Sequence, residues 1–92
     1  MNMMVGGNAF FGERRVEQRW RVLKGATLRF NSGFGAMEGV VRNQSENGAL
    51  LSFGDTTGVP PGFDLAINGA ERIRAARIRW RMPTLVGVQF VD

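Results

Sequence analysis

The chain is predicted to be all-β, six short antiparallel strands folded as a small barrel or sandwich. Three observations lead there. Apolar runs of strand length recur through residues 22–91, separated by clusters of Gly, Pro, Asn and Ser that mark turns. Arg77, Arg79 and Arg81 alternate with Ile78, Trp80 and Met82, the period of two that belongs to a sheet with one wet face. Helical periodicity is weak over the same region, and closing the strands into a barrel removes edges that would invite aggregation.

The 92 residues read as a single domain, with an N-terminal arm over 1–20 and the barrel over 21–92. The arm holds Gly6, Gly7 and Gly12 and is expected to be flexible; Phe10 and Phe11 could tack it onto a groove. Residues 13–21 are highly charged and could form one or two helical turns, too short to be stable alone. The first strand is expected over 22–30, followed by a turn at Asn31, Ser32 and Gly33. A second strand over 35–42 runs into a turn over 43–48, and a third follows over 49–53. Residues 54–62, with Asp55 and the pair Pro60-Pro61, read as a loop. The fourth strand covers 63–67, and Asn68-Gly69 is the strongest hairpin signal in the chain.

The fifth strand is expected over 71–82. Ile73 and Ala75 lie in the opposite phase to Ile78 and Trp80, so a bulge is expected near Ala75-Ala76. Pro83 helps turn the chain into a sixth strand over 84–91. The expected barrel filling is Leu28, Phe30, Val41, Leu51, Phe53, Leu65, Ile67, Ile78, Trp80, Val88 and Phe90. Arg77, Arg79 and Arg81 would then share a solvated exterior, with a polyanion-binding face as the alternative.

Composition narrows the chemistry. The absence of Cys excludes a disulfide framework, a Cys-ligated metal and a thiol nucleophile. The absence of His removes the commonest general base and metal ligand, and no close pair stands out among the eight carboxylates, so no catalysis is expected. Net charge is +4, and every basic residue except Lys24 is Arg. Arg brings a planar fork that grips phosphate or a guanine edge with two bonds, so the composition fits an anionic ligand or partner, or simply the codon usage of a GC-rich genome. No signal peptide and no apolar run of membrane-spanning length is present; this predicts no membrane insertion and a place in the cytoplasm.

Two short motifs carry the functional reading. Arg15 and Arg19 stand four residues apart, so their guanidiniums can converge on one compact dianion whether the segment is helical or extended. Alone, that spacing also fits a solvated charged arm. Asn43, Ser45 and Gly48 occupy the turn between the second and third strands. The amide, the hydroxyl and a glycine that admits close approach could serve a polar ligand or simply make the bend. Trp20 and Trp80 are open to two readings, packing at the barrel or stacking on a base.

The order of these motifs, an Arg-x-x-x-Arg pair before the first strand and Asn-x-Ser-x-x-Gly between the second and third, resembles the PilZ family of bacterial cyclic di-GMP receptor domains. The likeness continues through residues 21–25, 48–51, 77–80 and 87–90, and covers about residues 13–92. It implies a six-stranded barrel of the split type, with the ligand held between the arm and the barrel by Arg15, Arg19, Asn43, Ser45 and Gly48. Arg14, just before the motif, is associated in the family with uptake of two intercalated ligand molecules. The implied function is a receptor and adaptor: the dinucleotide orders the arm and creates a surface for a downstream protein partner. No cofactor is implied beyond the ligand cyclic di-GMP.

The sequence departs from the family pattern at Gln44 and Asn47 and carries a neutral Asn43 where Asp is equally common, which predicts weaker binding. Many members continue into a C-terminal helix; this chain stops at Asp92, so one barrel end could be open, covered by the arm, or closed by another copy in a homodimer. Two rival readings remain. One is a PilZ-like adaptor that does not bind the dinucleotide. The other is a small RNA- or single-stranded-DNA-binding barrel, against which stands the lack of clustered exposed aromatics on the strands.

Overall fold

The computed structural model describes residues 18–92. Arg14, Arg15, Phe10 and Phe11 lie outside the described residues. Six antiparallel strands follow one another: β1 (Trp20–Phe30), β2 (Gly35–Gln44), β3 (Gly48–Ser52), β4 (Gly62–Ile67), β5 (Arg74–Arg81) and β6 (Leu85–Phe90). They close into a barrel in the order β1-β2-β3-β6-β5-β4, with β4 pairing back onto β1. Among the described residues no helix is long and apolar enough to cross a membrane.

Alternation fills the interior. Leu28, Val41, Leu51, Leu65 and Val86, one from each strand except β5, are fully buried. Ala76 is the inward residue of β5, and Val88 and Phe90 extend the same row on β6. The turn between β1 and β2 uses Asn31, Ser32 and Gly33 as expected, all at positive φ. Asn68-Gly69 also turns, with Ala70 N–H donating to the Ile67 carbonyl at 3.0 Å. The β4–β5 ladder resumes only at Leu65 opposite Arg74, so the connection is longer than a two-residue hairpin.

Several expectations are corrected at β5. Its pairing with β4 and β6 is regular through Ala75 and Ala76, and Ile73 lies outside the strand. The bulge falls instead at Arg79, between the pairs Ile78–Val88 and Trp80–Gly87. An extra residue reverses which face the following side chains meet. Trp80 is therefore 45% exposed rather than core, its indole lying across Gly87 where any Cβ would collide with the ring. Arg81 leaves the expected outer row and folds over the barrel end: its guanidinium donates to the Thr56 carbonyl and, at 2.7 Å, to the Val59 carbonyl. Phe30 and Ile78 are only partly buried, packed against the core rather than inside it.

Those bonds explain why the segment between β3 and β4 is ordered without regular structure. Thr56 is buried; its hydroxyl donates to the Met82 carbonyl at 2.6 Å and its N–H to the Pro83 carbonyl at 3.0 Å. Val59 is drawn into the core with it. Asp55 starts the bend, accepting from the Thr57 hydroxyl and N–H, and these bonds hold its carboxyl below the usual range.

Two further bulges position the functional region. On β1, Val22 and Leu23 intervene between the pairs Arg21–Asn43 and Lys24–Val41. On β2, Arg42 is the extra residue between the pairs Val41–Leu51 and Asn43–Leu50. The two irregularities fall at the same level of neighbouring ladders, with Val22 and Leu23 opposite Arg42.

Candidate functional site

Arg19 stands one residue before β1 and is exposed. Its Nη1 donates to the Asn43 Oδ1 at 3.0 Å, joining the second arginine of the first motif to the first residue of the second. Asn43 belongs to β2 rather than to the turn, sitting opposite Arg21 on β1 and Leu50 on β3. The charged segment ending at residue 21, expected as a helical turn, is already strand at Trp20 and Arg21.

The turn itself is narrower than residues 43–48 and tightly made. Ser45 N–H donates to the Gly48 carbonyl at 2.8 Å, and Gly48 N–H donates to the Ser45 Oγ at 3.2 Å. The Ser45 hydroxyl lies 3.3 Å from the Gly48 carbonyl as well, and the residue is only 1% exposed. A Cβ on Gly48 would strike the Val88 carbonyl oxygen, so the glycine is demanded by the close passage of β6. Phe90 N–H donates to the Asn47 carbonyl at 2.8 Å. Arg74 buttresses the same end: its guanidinium sits 4.1 Å over the Phe90 ring, and its Nε donates to Asp92 Oδ2 at 2.8 Å. That bond holds the Asp92 carboxyl below its ordinary range.

Beside Asn43 the outer face opens into a groove of about 700 Å³, lined by Arg21, Val22, Leu23, Arg42, Asn43, Leu50 and Leu85. Its size falls within the range of small-molecule sites. Its lining combines the apolar Val22, Leu23, Leu50 and Leu85 with Arg21 and Arg42, and no described lining residue is acidic. Along the same cross-strand row, Asn43 pairs with Leu50, Leu50 with Gly87, and Gly87 with Trp80, so the half-exposed indole ends the row that Asn43 begins. Trp20 is also half-exposed, opposite Gln44. Gln44 lines a smaller hollow of about 470 Å³ with Ile67, Ala70, Glu71, Arg72 and Arg74.

The structure thus brings Arg19 and Asn43 into contact and anchors Ser45 and Gly48 close by, while Arg14 and Arg15 are outside the described residues. Sequence reading missed Arg21, Arg42, Leu50 and Leu85 as neighbours of Asn43. Cross-strand pairing brings Arg21 and Leu50 to Asn43, the bulge on β2 lets Arg42 share the groove, and apolar periodicity marks neither the register nor the bulge. Among the described residues no group of three or more His, Cys, Asp or Glu could hold a metal. The chain matches no model of a known protein family and no curated protein.

Proposed function

We propose that this protein is a cyclic di-GMP receptor module of the PilZ type, acting without catalysis as a cytoplasmic adaptor for another protein. The observation that carries the reading is the Arg19–Asn43 hydrogen bond at the mouth of the groove. Arg can bond guanine O6 and N7 with its fork, while the Asn oxygen suits the guanine N1 and N2 donors. In the free protein the two side chains satisfy each other; a guanine would exchange that single bond for several. Arg15 would add a second guanidinium from the arm, and Arg14 the charge and stacking plane for a second ligand molecule. Binding would hold the arm against the barrel and so make the surface a partner reads.

Calorimetric titration with cyclic di-GMP tests this. Wild-type protein is expected to bind, and Arg15→Ala and Arg19→Ala are each expected to lose binding with the fold intact by circular dichroism. Undiminished binding in both variants would exclude the site. A second reading, an adaptor that does not take the dinucleotide, is favoured by the engagement of Ser45 and Gly48 within the turn itself. It predicts no heat at high micromolar ligand.

A further inference from the structure

We propose that Arg21 and Arg42 form a phosphate subsite of this same ligand groove, distinct in task from the Arg19–Asn43 pair; the inference rests on the dinucleotide reading above. In a regular strand, neighbouring residues point to opposite faces, so Arg42 and Asn43 could not both serve one site. The bulge between Val41 and Asn43 removes that restriction, and both residues line the groove. Arg21, the cross-strand partner of Asn43, faces them from β1.

The electrostatics of the groove are unbalanced. Neither the Arg21 nor the Arg42 side chain makes a hydrogen bond or ion pair among the described residues, whereas those of Arg19, Arg74, Arg79 and Arg81 all do. None of the described lining residues is acidic. Two like charges on one wall repel each other and lower their energy by sharing an anion. A bare inorganic ion is not the best fit, since the apolar lining residues, Leu50 and Leu85 among them, would be left wet. A phosphodiester carrying a flat base satisfies both parts: its anionic oxygens meet the forks of Arg21 and Arg42, and the base or ribose covers the leucines. The labour is then divided, with Arg19 and Asn43 reading a base edge and Arg21 and Arg42 neutralising phosphate.

The test is a set of calorimetric titrations with cyclic di-GMP at low and high sodium chloride. Wild type, Arg21→Gln, Arg42→Gln, Arg42→Lys and Arg77→Gln are compared, each checked for fold by its melting curve. Arg77 is an exposed strand arginine outside the groove and serves as the control. Arg21→Gln and Arg42→Gln are each expected to bind about tenfold more weakly at low salt, the difference shrinking as salt screens the wild type. Arg42→Lys should fall between, keeping the charge but not the fork. Arg77→Gln should bind as wild type. If wild type binds and both Gln variants bind equally well, the phosphate subsite is overturned and the receptor reading stands. If both weaken but Arg77→Gln weakens as much, the effect is general charge and the subsite is again overturned. If wild type does not bind, the receptor reading falls and the subsite falls with it.

Discussion

Ser45 and Gly48 show how one residue can satisfy a motif and a fold together. The Ser45 hydroxyl gives the buried Gly48 N–H its acceptor, at 3.2 Å. Ser45→Ala leaves that donor unsatisfied and is expected to cost about 1–3 kcal/mol in urea unfolding. Gly48→Ala drives a methyl into the Val88 carbonyl, and a comparable loss of about 1–3 kcal/mol is expected, because the backbone of β6 must move. A Gly48→Ala protein as stable as wild type would show that β6 does not pass so close. The spacing of Asn43, Ser45 and Gly48 was legible in the chain; the reason for the glycine was not, since it lies in a strand about forty residues further on.

At the scale of elements, bulges decide which side chains reach the surface. The alternation of Arg77, Arg79 and Arg81 with Ile78, Trp80 and Met82 suggested one wet row and one dry row. A single extra residue at Arg79 divides the pattern, putting Ile78 toward the core and Trp80 outside. Periodicity gives the existence of the strand and cannot give the register of its partner, which is why six strands were legible and their irregular points were not. Arg81 acquires a task that no pattern announces, clamping the carbonyls of Thr56 and Val59 across the barrel end. Arg81→Ala is expected to free that segment: hydrogen exchange at the amides of Thr56 and Val59 should quicken by about tenfold or more, with Leu51 little changed. Equal protection in both proteins would assign the order of the segment to Thr56 and Val59 alone.

At the scale of the molecule, the closed barrel supplies rigidity and the departures from regular pairing supply the site. β1 and β2 carry bulges at the same level, and beside them lie Asn43, the contact with Arg19 and the cationic groove. The net charge of +4 favours encounter with anions, and the proposed function makes the groove the place where such an encounter ends. The barrel was legible because its turn residues and apolar runs are local signals. Half of the site was legible because its motifs are short; the other half arises only when strands align. The most direct measurement is therefore a map of amide chemical shifts during titration with cyclic di-GMP. Binding in the groove would give the largest changes at Arg19, Arg21, Leu23, Arg42, Asn43, Leu50 and Leu85, with the β1–β2 turn at Asn31–Gly33 unmoved. Saturable shifts centred elsewhere on the barrel, or none at all, would contradict it.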